Sequence, residues 1–345
     1  MGAEQSALQC ASCGGMCYFS PVARALECLS CGAVYDLGQP DDYLERDEFA
    51  HCENTSDTDP KTAPSQQTHQ CRNCGGEVIF TGPALSKSCL YCNGPVVLAH
   101  GESGYNTMAL IPFRVDAPFA QRLAQEWIAT RICAPDDLAQ VAAEGVVAGL
   151  YAPFWTFDSD EAVQYWANYV TYRNKKIRTR QTKGTLDILF DDLLMSASPH
   201  VTPLIRDGIL HDFDPADLRP YRTGYLAGFA AELHHQSVAE GLAANETDKD
   251  LLIRNQIKVE VDKTGVHGIR YLTDTNGIHY RRILLPVWIL HYTYGRRAYL
   301  IVVSGIDGRT FGERPFSFRK IAILSGAVTA CAMAQGMFLG AQAVF

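Results

Sequence analysis

The sequence predicts an α+β protein: two N-terminal four-cysteine zinc ribbons, a mixed antiparallel β-rich α+β domain, and a C-terminal hydrophobic helix. Three observations carry this. A double Cys-x-x-Cys pattern occurs twice in residues 1–100, short apolar stretches punctuated by turn residues fill the middle, and the last twenty-five residues carry no charged side chain. The implied division is ribbon 1 at 1–38, an acidic and polar linker at 39–68, ribbon 2 at 69–100, the α+β domain at 104–318 and the hydrophobic helix at 319–345.

The ribbons come first. Cys10, Cys13, Cys28 and Cys31 recur as Cys71, Cys74, Cys89 and Cys92 at an offset of 61 residues, with fourteen residues between the pairs of each unit. Each first pair runs into two glycines, Gly14-Gly15 and Gly75-Gly76, which permit a tight turn under a metal. Zinc favours four soft ligands in a tetrahedron, and two knuckles joined by a hairpin supply four thiolates with no position left for water. The expected cofactors are therefore two structural Zn2+ ions that activate nothing. A disulfide scaffold belongs to an oxidising compartment, and no secretory signal precedes the cysteines. Redox Cys-x-x-Cys motifs belong to an alternating α/β pattern that is absent here. Cys17 aligns with Val78 in the second unit, so the repeat argues against it as a ligand, and Cys52, Cys133 and Cys331 show no ligand spacing.

Charge narrows the partners. The formal net charge is -8, and residues 1–100 hold five Lys/Arg against twelve Asp/Glu. Each four-thiolate zinc centre adds a further formal -2. Nucleic-acid affinity draws largely on Lys/Arg neutralising phosphate, so the acidic ribbons suit a protein partner better. The linker stretch 50–68, rich in Ser, Thr, Asp and Pro, reads as a flexible tether.

From Met108 the pattern is that of an α+β domain. Ala109–Phe113 predicts a strand, Pro118 opens a helix with Phe119, Leu123, Trp127 and Ile128 on one face, and a second helix follows Pro135-Asp136-Asp137. Gly149–Asp158 predicts an aromatic strand with 163–173 as its hairpin partner, Asp158, Asp160 and Glu161 being turn residues. Another strand is expected over 187–198 and a helix over 223–245, with Leu226, Phe229, Leu233 and Val238 in its core. Strands return at 257–262, 266–273, 278–292 and 296–303, separated by Thr275-Asn276-Gly277 and Tyr294-Gly295. Leu285-Pro286-Val287-Trp288 echoes Ala152-Pro153-Phe154-Trp155, which suggests two related sheet halves.

Two further features bear on function. Arg173, Lys175, Lys176, Arg178, Arg180 and Lys183 form a basic run that reads as an anion or lipid-headgroup patch or as a solubilising hairpin tip. Arg319-Lys320 precede an uncharged stretch to Phe345, long enough to cross a bilayer core of about 30 Å. The basic pair suits the cytoplasmic side, and Gly336 with Gly340 offer a small-residue face for a possible homo-oligomer. A helix buried in a soluble core is the competing reading.

Catalytic motifs are missing. The sequence holds no Gly-x-x-x-x-Gly-Lys-Ser/Thr loop, no Gly-x-Ser-x-Gly elbow and no His-Glu-x-x-His pair, so no catalytic residue is assigned and an enzyme is not expected. Glu232 with His234-His235 reads as a helix surface, because adjacent helical residues point about 100° apart.

The two cysteine units, Leu110-Ile111-Pro112-Phe113, the aromatic strand Gly149–Asp158, Tyr225-Leu-Ala-Gly228-Phe, Leu285-Pro286-Val287-Trp288, and Asp307-Gly308 with Arg314-Pro315 together resemble a bacterial family. Its members carry paired zinc ribbons of the transcription-factor-IIB type and are often labelled primosomal protein N-prime or superfamily II helicase. The resemblance implies no catalytic residues, and the helicase label is at odds with the missing phosphate loop. It also implies a link to membrane-stress scaffolds, phage-shock protein A-like and band-7-like proteins. The resulting expectation is a non-enzymatic adaptor on the cytoplasmic side of the inner membrane; the alternative is a cytoplasmic nucleic-acid-binding accessory protein of replication or transcription.

Overall fold

The computed structural model describes residues 8–37, 49–50, 66–71, 77–81, 84–88, 95–97, 107–143, 145, 147–173, 176–198, 205–232, 234, 238–244 and 246–342. The protein is a mixed α+β, sheet-rich structure. Three short strands, β1 (Cys17–Ser20), β2 (Ala25–Cys28) and β3 (Val34–Tyr35), form the antiparallel sheet of ribbon 1. Then follow β4 (Phe49–Ala50), β5 (Gln66–Gln70), β6 (Glu77–Thr81), β7 (Ala84–Ser88), β8 (Pro95–Val97) and β9 (Ala109–Leu110). Helix α1 (Ala117–Ala129) starts at Asp116, whose carboxylate accepts the Phe119 amide at 2.8 Å, a side-chain cap. Its buried face is Ala120, Ala124 and Ile128. The expected face shared only Ile128, because small residues at i, i+4 spacing let the helix lie closer to the sheet than Phe119 or Trp127 would. Helix α2 (Leu138–Ala143) follows.

The body is organised by two very long strands. β10 (Val147–Arg173) runs unbroken through the expected turn at Asp158–Glu161, and its hairpin partner is β11 (Lys176–Ser196). The alternation that buries Trp155 and Phe157 continues in phase through Glu161, Val163, Tyr165 and Ala167, so the sheet face outweighs the turn preference of the aspartates. A bulge between Phe157 and Ser159 absorbs the irregularity. The short strand β12 (Arg219–Pro220) pairs with β9, and β13 (Ala230–Glu232) runs parallel to the base of β10. Helices α3 (Val238–Ala244) and α4 (Glu246–Val261) follow, and Val238, Ile253 and Ile257 join core clusters with strand residues. Next come β14 (His267–Tyr294), β15 (Arg297–Ser304), β16 (Thr310–Gly312) and helix α5 (Phe318–Gln342).

Several sequence expectations change here. The strand expected at 257–262 is the end of α4, whose buried Ile253 and Ile257 are one helical turn apart. The helix expected over 223–245 is a short helical turn, strand β13 and α3. Leu226 and Val238 are buried as expected, Phe229 is half-buried, and Leu233 lies outside the described residues. Thr275-Asn276-Gly277 does not end a strand; Gly277, at φ +62°, lets β14 continue past it. The echoing proline segments are neighbours, with Tyr151 opposite Pro286 and Pro153 opposite Leu284.

Among the described residues the main sheet has eleven strands, with β14 and β10 at its centre. Strands from the region expected to hold ribbon 2 and the linker join it. The β7–β8 hairpin of the second unit pairs through β7 with β13, and β4 from the expected linker pairs with β14 at His279–Tyr280. The rest of the expected tether, 51–65, lies outside the described residues. The body core is an aromatic group: Phe113 stacks on Phe229 at 4.1 Å and meets Trp288 and Tyr151 at 4.9 and 5.0 Å. Gly149 lies so close to Phe229 that a Cβ there would stand 2.5 Å from its ring.

The expected membrane-crossing helix finds no support: among the described residues, no helix is long and apolar enough to cross a membrane. Helix α5 is anchored at its start by Lys320, which bonds Asp136 and the Ala134 carbonyl. Beyond it Ile323, Leu324, Val328 and Met333 are exposed. From 334 to 342 only the backbone is described, so Gly336 and Gly340 are placed on the helix and nothing more.

Candidate metal centre

Ribbon 1 is built from two matching knuckles. In each, the amide of the glycine after the second cysteine bonds back to the first cysteine's carbonyl: Gly14 to Cys10 and Gly32 to Cys28, both at 2.8 Å. Both glycines have φ +72°, a conformation that costs other residues roughly 1–2 kcal/mol. The amides of Cys10 and Cys28 then bond to the carbonyls of Gly15 and Ala33. Gly32 carries the same role as Gly14, a signal present in Cys31-Gly32 but missed when only the doubled glycines are counted.

This backbone brings the thiol sulfurs of Cys10, Cys13, Cys28 and Cys31 within 4.8 Å of one another. The Cys10–Cys31 and Cys13–Cys28 separations are both 3.5 Å. A tetrahedron of Zn–S bonds of about 2.3 Å has edges of about 3.8 Å, and the two 3.5 Å separations lie close to that. The donor set is soft and closed, as a structural zinc site requires.

The four thiols are held at unequal acidities, Cys10 and Cys28 lowered and Cys13 and Cys31 raised. The Tyr35 hydroxyl, accepting from the Ser12 amide at 3.2 Å, donates to Cys10 Sγ at 3.1 Å and pulls that thiol down to about 5. Backbone amides of Cys31 and Ser30 lower Cys28. Cys13 is drawn down by the Gly15 amide, but the crowding of Cys31, Cys28 and Cys10 outweighs it and pushes it up to about 12. Four neighbouring thiols cannot all ionise alone, whereas a divalent cation turns their repulsion into attraction. Tyr35 orients a ligand from outside the coordination sphere, the role that second-shell groups commonly play.

Cys17 is wholly buried, directly opposite Cys28, and its thiol is pushed up to about 11 chiefly by burial. It is a core residue and stands outside the four-sulfur group, as the repeat with Val78 suggested. The ribbon is packed onto the body: Phe19 donates its amide to the Ala227 carbonyl at 3.0 Å and meets the rings of Tyr225 and Phe229 at 5.3 and 6.5 Å. Cys10 and Cys28 face inward and are buried, while Cys13 and Cys31 are exposed.

For the second unit, Cys71 is buried, and Cys74, Cys89 and Cys92 lie outside the described residues. One four-cysteine site is therefore placed. Of the basic run, Lys176, Arg178, Arg180 and Lys183 are exposed on β11; the Arg173 side chain and Lys175 lie outside the description.

His234 overturns its expected surface place. It is fully buried at an isolated bridge, with Nε2 2.9 Å from the Phe154 carbonyl and Nδ1 3.4 Å from Thr107 Oγ1, while Glu232 accepts from Ser198 Oγ at 2.6 Å. Glu161, expected in a turn, is buried and bonded to Ser159, Thr273 and Thr275 and paired with Lys249.

The fold and the four sulfurs thus define a mixed α+β protein carrying a four-cysteine group of the kind that holds zinc. No family model matches the chain and no solved structure matches it. Over 250 residues it is 25% identical to the uncharacterized protein YdjG of Bacillus subtilis (strain 168), covering 66% of this chain and 70% of that protein.

Proposed function

We propose that the protein is a non-enzymatic adaptor in which zinc-stiffened ribbons present a docking surface to a protein partner. The observation that carries this is the burial asymmetry of ribbon 1: one side is fused to the core through Phe19 and Leu26, while Val22, Leu29 and Val34 are held out in solvent. Exposed apolar side chains on a rigid mount are what a protein interface uses, and a closed zinc site has no open position for chemistry. The second ribbon's four cysteines would hold a second ion in the same way.

The resemblance to paired-ribbon proteins suggests the partner class, a phage-shock protein A-like or band-7-like scaffold at the cytoplasmic face of a membrane. The uncharged sequence after Lys320 and the exposed Ile323, Leu324 and Val328 support attachment there through α5. The test is capture of such a scaffold by the full chain from a detergent extract. Capture should fall about tenfold or more for Val22→Asp/Leu29→Asp, as expected when a central apolar contact is replaced by charge. Undiminished capture by that variant would refute the ribbon as the docking surface.

A further inference from the structure

The hairpin formed by β10 and β11 ends in a tip that the adaptor reading leaves unused. The third strand of this arm, β14, stops pairing with β10 at the Asn168–His267 rung; beyond it the Val170 amide still donates to the Thr264 carbonyl at 3.0 Å, and the hairpin continues as Tyr169–Arg173 against Lys176–Arg180. One face of the arm is covered by α4, whose Ile253 and Ile257 pack on Val163, Tyr165 and Ala167. That cover belongs to the lower rungs, and the β11 side chains from Lys176 to Gln181 are all exposed.

Side chains alternate between faces along a strand. The Tyr172–Ile177 rung therefore shares a face with Val170–Thr179, and Thr171–Arg178 shares the other with Tyr169–Arg180. Tyr172 is 69% exposed and Ile177 66%. The sequence from 162 to 186 contains six Lys/Arg and no Asp or Glu, in a chain whose net charge is -8. An aromatic and a branched aliphatic side chain lie exposed side by side on one face near the end of the hairpin, while Lys176, Arg178 and Arg180 follow the alternation onto the other face. At an anionic bilayer met edge-on by the end of the hairpin both faces are satisfied: the apolar pair enters the headgroup boundary from one side while Lys176, Arg178 and Arg180 meet phosphates from the other.

We propose that this hairpin tip docks on an anionic lipid surface, with Tyr172 and Ile177 inserted and Lys176, Arg178 and Arg180 paired to headgroups. A single-stranded nucleic acid shares the anionic chemistry but fits the tip less well. Ile177 offers no ring to stack on, and the aromatics on its face, Tyr172 and Trp166, are six residues apart, about 20 Å at the strand rise, so they form no continuous stacking platform.

Sedimentation of the full chain with vesicles of phosphatidylcholine mixed with phosphatidylglycerol, against phosphatidylcholine alone, tests this. Binding should depend on the anionic lipid and fall as salt rises. Each neutralised cation should weaken it about fivefold, so Lys176→Gln/Arg178→Gln/Arg180→Gln should lose on the order of a hundredfold. Tyr172→Ser/Ile177→Ser should lose on the order of tenfold. Helix α5 is present in every protein compared, so its own contribution is common to all. Equal binding to both vesicle types, or wild-type binding by the triple variant, overturns the proposal. So does a chain that ignores vesicles but binds an oligothymidylate through the same three cations. Partner capture through ribbon 1 is unaffected by these variants, so the two readings fail separately.

Discussion

Removing zinc from ribbon 1 should weaken the whole body, because the ribbon is part of the core. Phe19, Leu26 and Leu8 are buried in the same cluster as Phe113, Tyr151, Trp288 and Val303. Burial of each such side chain contributes about 1.5–3 kcal/mol, and structural zinc supplies about 10–16 kcal/mol of folding free energy in small knuckles. Without the metal the knuckles open, and the body loses the cover of at least Phe19 and Leu26, roughly 3–6 kcal/mol. At about 2 °C or more per kcal/mol for a domain of this size, the unfolding midpoint should drop on the order of 10 °C. The variant is Cys10→Ser/Cys28→Ser, read by thermal unfolding followed at near-ultraviolet wavelengths where the buried Trp155 and Trp288 report on the body. Zinc content is measured in parallel. A variant that has lost zinc but melts at the wild-type temperature would refute the coupling and make the ribbon an independent appendage.

Three other outcomes are expected. Tyr35→Phe removes the hydroxyl that lowers Cys10, so on acidification zinc should be released about one pH unit earlier, at higher pH than in the wild type; a metal-release titration with unchanged midpoint contradicts the assigned role. Cys17→Val should keep its zinc and its stability to within about 1 kcal/mol, since Val stands at the matching position of the second unit; loss of metal would make Cys17 a ligand. At Glu161 burial pushes the carboxyl up, but Lys249, Thr273 and Thr275 outweigh it and hold it below the usual range. The ionised form therefore stabilises the fold above the unfolded-state carboxyl range, and that contribution is lost as pH falls through the lowered folded value. Glu161→Gln should cost about 3 kcal/mol by leaving Lys249 without its buried partner, and should raise amide exchange in α4; protection equal to wild type in α4 would remove the link.

The metal centre was legible because its chemistry is local: four residue types at fixed spacing, and glycines whose conformation the knuckle dictates. The long strands were not. Asp158, Asp160 and Glu161 carry turn propensity, yet Glu161 is held in the sheet by three hydroxyls and a lysine that come from β10 itself, β14 and α4. A local reading cannot see partners more than eighty residues away. Thr275-Asn276-Gly277 misled for the same reason, since the pairing of Thr275 with Glu161 and of Asn276 with Asp160 continues across it. His234 was misplaced because its surroundings, Phe154 and Thr107, are supplied by other elements.

The packing of ribbon 1 against the body changes what a zinc ion there would do for function. A ribbon on a loose tether pays for each docking event with the orientational freedom of the whole module. Here Phe19 bonds to Ala227, Leu37 and Leu26 close over Gly224, and β7 adds to the sheet through β13. The freedom was lost on folding, so a partner meets a surface already set in place. The same fusion has a cost: a change at Tyr225 or Phe229, which are not themselves among the exposed apolar residues, should disturb docking as surely as a change at Leu29, because these rings hold the mount. Tyr225→Ala should therefore reduce partner capture together with stability, whereas Leu29→Asp should reduce capture alone, and a Tyr225→Ala protein that is destabilised yet captures normally would show the mount to be unnecessary.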